Sequence, residues 1–159
     1  ITPMKSKLIA LTLALVLTTG LAFGHGGVEI GPNGGRVLEF SKNETMRGEV
    51  TVKDGKFHIA VLDKDMKPVA VAAQSLTATG GTRQKPEKLA VEKTADGFVI
   101  PAVKPGQWLI VQFKENDKSK AVTARLEYDI SNCDACDSPE WICECSQNKK
   151  KAPAAAAKK

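Results

Sequence analysis

All four cysteines of this 159-residue chain lie in "CDACDSPEWICEC", positions 133 to 145, with the spacing C-x2-C-x6-C-x-C. Thiolates are soft ligands, and four in so short a stretch can surround one tetrahedral zinc ion or a small Cu(I) centre. The same residues also admit disulfides. A C-x-C ring strains a disulfide, so Cys133 and Cys136 would each pair with Cys143 or Cys145, across a tight turn at Ser138-Pro139. Bridges closing such short loops contribute about 2–3 kcal/mol each in the chain-entropy description. A redox-active pair fits less well. "CDAC" follows a strand and has Asp134, Asp137, Glu140 and Glu144 around it, which opposes a low-pKa thiol. Trp141, between the two cysteine pairs, reads as the core of a small knob.

Which chemistry the cysteines serve depends on compartment, and the N-terminus speaks to that. From Met4 onward the pattern is a signal peptide, with residues 1–3 read as preceding the natural start. Lys5 and Lys7 are followed by the apolar run Leu8 to Leu17 and then by the small residues of "TTGLAFGHGG". The run is too short for a membrane span, so residues 1–24 predict export to a periplasmic or extracellular location. Outside the cytosol unprotected thiols become disulfides, which favours staples unless a metal protects the sulfurs.

Cleavage would also create a second site. A cut after Gly24 makes His25 the first residue, whose amine and imidazole can chelate copper, with His58 as the other imidazole of the chain. A cut after Ala22 instead places His25 third from a free amine. Amine, two amide nitrogens and imidazole then form the square-planar set preferred by Cu(II) and Ni(II). His58 itself lies mid-strand in "KFHIAVL", on the face opposite Phe57, Ile59 and Val61, where its ordinary reading is a satisfied or solvent-facing residue. Met46 and Met66 are further soft donors, although single methionines are usually packing residues.

The elements that must carry these groups are strands. "RVLEF", "GEVTV", "KFHIAVL", "QSLTATG", "KLAVEK", "GFVIPAV", "QWLIVQF" and "AVTARLEY" are separated by turn signals such as Asp54-Gly55, Gly80-Gly81 and "KPGQ". Several alternate with period two, as in Leu109, Val111 and Phe113, and none carries a helical stripe. This predicts an all-β chain: a small antiparallel immunoglobulin-like β-sandwich of seven to eight strands over 35–130. A flexible Gly-rich arm (25–34) precedes it, and a four-cysteine knob (131–147) and a disordered Lys/Ala tail (148–159) follow. Such a sandwich fills its interior with its own side chains, so sites belong on loops and termini. With two histidines, one tyrosine and no nucleophile–base arrangement, an enzyme is not expected.

The formal charge of +5 is misleading as a guide to partners. Lys5, Lys7 and the five tail lysines account for seven of the 23 basic residues, leaving 16 against 18 acidic residues in 25–148. Nucleic acid is therefore not an expected partner of the domain. The tail "KKKAPAAAAKK" is a solvated end or a weak tether to an anionic envelope surface.

"HGG" with "GPNGGRVLEF" and "FHIAVLDKDMKPV" resembles small exported bacterial β-domains that open with a His-Gly or Gly-Pro-Asn-Gly-Gly stretch, some of them accompanying heavy-metal efflux systems. The likeness covers about residues 25 to 128, and the leader here has His25 alone where other examples have several histidines. The residues, with this likeness beside them, point to a non-enzymatic metal-binding or metal-buffering protein, copper foremost, through His25, His58, Cys133, Cys136, Cys143 and Cys145, with zinc as an option at the cysteines. The alternative is a structural or interaction module of the cell envelope with a stapled C-terminus and a protein partner.

Overall fold

A computed structural model describes residues 27–145 of the chain. The signal-peptide pattern, His25 and the lysine tail lie outside these residues.

Alternating apolar residues fold into nine strands. They are β1 (Arg36–Glu39), β2 (Met46–Lys53), β3 (Lys56–Asp63), β4 (Ser75–Gly81), β5 (Pro86–Leu89), β6 (Glu92–Lys93), β7 (Gly97–Pro101), β8 (Trp108–Lys114) and β9 (Val122–Glu127). They form two antiparallel sheets, β1-β2-β3-β7-β6 and β5-β4-β8-β9. The β2–β3 connection is a two-residue turn in which Asp54 and Gly55 both take positive φ, 53° and 70°, the geometry that matches the twist of a hairpin. Among the described residues no helix is long and apolar enough to cross a membrane.

The period-two residues meet between the sheets. Val50, Phe57, Ile59, Val61 and Ile100 of one sheet face Leu76, Leu109, Val111, Phe113 and Leu126 of the other, all buried. Phe40, just after β1, stacks on Phe113 with ring centroids 4.5 Å apart, joining the sheets.

Two features differ from the sequence-based expectation. "KLAVEK", expected as one strand, divides between the sheets. Pro86–Leu89 pairs with β4, whereas Glu92–Lys93 pairs with β7. The chain crosses from one layer to the other at Ala90-Val91, as strands do where they turn a sandwich corner, and this raises the count from seven or eight to nine.

The second concerns the stretch expected as a flexible arm, whose described part is fastened to β1 and, through Glu49, to β2. Ile30 bridges Arg36, Gly34 N–H donates to Gly31 O (3.0 Å), and Val37 N–H donates to Glu29 O (2.8 Å). Beneath this turn lies Glu49, fully buried although it occupies the outward face of β2. Its Oε1 accepts from the backbone N–H groups of Asn33 (2.7 Å) and Gly35 (2.9 Å), and Oε2 accepts from Asn33 Nδ2 (2.7 Å). Gly31 has to be glycine here, because a Cβ would overlap the Glu49 carboxyl group. The Gly-Pro-Asn-Gly-Gly stretch is thus a hydrogen-bonded cap over a buried carboxylate, whose desolvation is offset by these donors.

A candidate four-thiolate metal centre

After β9 the chain remains attached to the sandwich. Tyr128 N–H donates to Gln107 O (2.9 Å), Trp141 N–H to Asp129 O (2.9 Å) and Glu140 N–H to Ser131 O (2.9 Å). Trp141 sits in the short 3-10 helix Glu140–Ile142 and is 7 % exposed. Its ring packs at 5.5 Å from Tyr128 and 6.5 Å from Phe57, and Tyr128 meets Phe57 edge-on at 5.1 Å. Trp141 therefore belongs to the main core as well as to the knob. Arg36 on β1 adds a tether through Nη1 to Trp141 O (3.0 Å), and its burial lowers the guanidinium pKa. The knob is held in place by the fold.

Within that frame the chain turns inside Cys133–Ser138, and Ser138-Pro139 is not the tip. Cys133 N–H donates to Ser138 O (2.8 Å), Asp137 N–H donates to Cys133 O (3.1 Å), and Asp137 takes the left-handed conformation at φ 55°. Pro139 then leads into the 3-10 helix, whose last turn delivers Cys143 and, after one more residue, Cys145. The four sulfur atoms converge so that all lie within 4.8 Å of one another. Cys133 and Cys143 are buried, at 1 % exposure each, while Cys136 is exposed and Cys145 half-buried.

The expected disulfides are not formed. None of the four cysteines is bridged, and Cys136 Sγ and Cys143 Sγ lie 3.3 Å apart, in hydrogen-bonding contact and well beyond the 2.05 Å of an S–S bond. A tetrahedral ion with metal–sulfur distances of about 2.3 Å needs its sulfurs about 3.8 Å apart, so the observed cluster brackets the required spacing. The turn that replaces Ser138-Pro139 makes this possible, because it points Cys133 and Cys136 at one spot.

The local donors favour thiolate. Backbone N–H of Ser138, then hydrogen bonds from Cys143, from the Ser138 side chain and from Cys145, bring the Cys136 thiol down to about 7. The carboxylates of "CDACDSPE" were expected to oppose a low-pKa thiol, but what acts on Cys136 is the set of hydrogen bonds directed at its sulfur, with only burial opposing them. Cys133 receives a backbone bond from Ala135 that acts to lower its pKa. Its bonds with Cys143 and Cys136, together with burial, outweigh it and leave the thiol above its ordinary value. Cys145 is also raised, first by its bond to Cys136 and then by burial. One sulfur carries charge readily and its neighbours share protons with it. That is a proton-loaded ligand set, ready to exchange protons for a cation.

The other nominated donors lie elsewhere. His58 pairs across β3 with Thr51 and Val99 and lines a shallow outer-face depression with Asn33 and Lys53. It is not part of the converging group, which among the described residues consists of the four cysteines alone. Met66 sulfur receives Arg47 Nη1 at 3.6 Å, and Met46 packs on the core. Sequence reasoning did not anticipate Glu49 or Arg36 as supports. Both occupy strand positions that alternation assigns to the solvent side.

No protein family, no curated protein and no solved structure matches this chain.

Proposed function

We propose that this protein is an exported, non-enzymatic metal-binding protein. Its C-terminal knob holds one soft or borderline ion in four-thiolate coordination, zinc in the first instance. The observation that carries the reading is the convergence of Cys133, Cys136, Cys143 and Cys145 within 4.8 Å, unbridged and set on a rigid β-sandwich. Four protein sulfurs complete a tetrahedron and leave no open position for substrate. Such closed sites are structural or storage sites rather than catalytic ones.

The asymmetric burial favours buffering over purely structural use. Cys133 and Cys143 anchor the ion from within, while Cys136 and Cys145 present it to solvent, where a competing ligand can attack. Export is supported by Lys5, Lys7 and the apolar run that follows. An ion on the thiolates would protect them from oxidation there. Copper enters in two ways: Cu(I) as a soft competitor at the sulfurs, and Cu(II) at His25 once its amine is freed.

Cobalt substitution tests the central part. Reduced full-length protein titrated with Co(II) should develop sulfur-to-cobalt charge-transfer absorption that saturates at one equivalent and is abolished by zinc. Absence of that absorption, with thiols verified as reduced, would rule out the four-thiolate centre.

A further inference from the structure

The outer face of the four-stranded sheet carries a second site unrelated to the cysteines. Registry sets Lys88, Thr79, Ile110 and Arg125 in one row across β5, β4, β8 and β9. The next row places Gly81 and Glu127 on either side of Trp108. Strand spacing makes the Lys88–Arg125 row about 14 Å wide. The β4–β5 turn brings Arg83 over its end, enclosing a groove of about 540 Å³ lined by Trp108, Ile110, Thr79, Arg83 and Arg125. That volume is in the range of small-ligand sites.

Three observations define what fits. Arg83 and Arg125, which line the groove, and Lys88 at the end of the row have no carboxylate partner among the described residues, although acidic residues outnumber basic ones in 25–148, so the groove is a cationic patch on an otherwise slightly acidic domain. Trp108 is half-buried, yet no ring contact or hydrogen bond of its side chain is found among the described residues. Its cross-strand neighbour on β4, Gly81, carries no side chain. At φ 117°, with Lys85 O where a Cβ would go, Gly81 cannot accept one. Lastly, β4 and β8 are each paired on both edges, so the groove floor offers no free backbone groups to an added peptide strand.

A ligand must therefore be recognised by side chains alone, through a flat face for the indole and anionic groups spaced for cations at opposite ends. We propose that this groove binds an acidic polysaccharide strand, one sugar ring lying on Trp108 and carboxylates engaging Arg83 and Arg125. Arginine forks suit carboxylates bidentately, and Glu127 beside Trp108 can accept from a sugar hydroxyl. A lipid surface fits less well, because Trp108 is half-buried and lines the groove.

The test is titration of the full chain with tetragalacturonate, followed by tryptophan emission and by calorimetry, with cellotetraose as the neutral control. The expected result is saturable binding of the acidic tetramer alone, lost in W108A and weakened about tenfold in each of R83Q and R125Q. The arginine variants alter exposed side chains, so they decide the matter even if W108A folds poorly. The lysine tail attracts polyanions by itself, and equal affinity in wild type, R83Q and R125Q would assign binding to the tail and overturn the proposal. It would also fall if no saturable binding occurred, if cellotetraose bound equally, or if single-stranded oligonucleotide or anionic vesicles bound more tightly than the tetramer.

Discussion

Cys136 Sγ lies 3.3 Å from Cys143 Sγ, and the two sulfurs come from opposite halves of the knob, one from a tight turn and the other from the end of a 3-10 helix. The helix is fixed by Trp141 in the core and by Arg36, and the turn by the Asn132–Pro139 bridge beside it. The metal-binding reading rests on this meeting of the turn and the helix.

Replacing a buried ligand should therefore be worse than replacing an accessible one. C133S is expected to lower zinc affinity by more than the roughly 10–100-fold typical of changes around a site that leave its ligands intact. C145S should retain one-to-one binding, with solvent taking the vacant corner at the exposed side. Competition with a chromophoric chelator measures both.

The thiols should also differ in pH response. With Cys136 brought down to about 7 by Ser138, its neutral form dominates below that pH and the thiolate above it. Alkylation of reduced, metal-free protein should thus begin at Cys136 with a midpoint near pH 7. Cys133 and Cys145, both raised, should react only in more alkaline solution. Peptide mapping after timed iodoacetamide treatment reads this directly. Zinc affinity should fall as pH is lowered, because protons then compete for every sulfur.

Trp141 couples knob and core, so W141A should destabilise the domain by about 3–5 kcal/mol, the range for large aromatic truncations. The edge-on contact with Tyr128 and the tilted one with Phe57 are lost along with the buried area. Urea unfolding of the metal-free protein gives the value, and cobalt titration of the same variant should show weakened binding. Unchanged cobalt binding in W141A would mean that the knob organises itself independently of the sandwich.

The Glu49 cap makes a separate prediction. E49A leaves the N–H groups of Asn33 and Gly35 without their acceptor and should cost about 3 kcal/mol, measured as a lower urea midpoint with unchanged slope. Metal stoichiometry should not change, because the cap does not touch the cysteines.

The sandwich was legible because alternation is a direct consequence of strand geometry: Phe57, Ile59 and Val61, or Leu109, Val111 and Phe113, can be assigned to one face by counting. The crossing at Ala90-Val91 was not, since no Gly or Pro interrupts "KLAVEK" and only the partner strands show where it changes sheet. Glu49 was not legible for a different reason. A carboxylate on the outward face reads as solvated, and its burial depends on a turn that begins 18 residues earlier, at Gly31. The cysteines were recognised as a cluster from spacing alone. Whether they form staples or a ligand set turns on the left-handed Asp137 and on N–H groups aimed at sulfur, neither of which spacing specifies.

Intact mass of the native protein under non-denaturing conditions, with and without a thiol-blocking reagent, tests the four-thiolate centre most directly. The account predicts one retained ion, lost on acidification, after which four thiols become available for blocking. A metal-free species with no blockable thiol, lighter by the hydrogens of two disulfides, would contradict it and make the knob a stapled structural element.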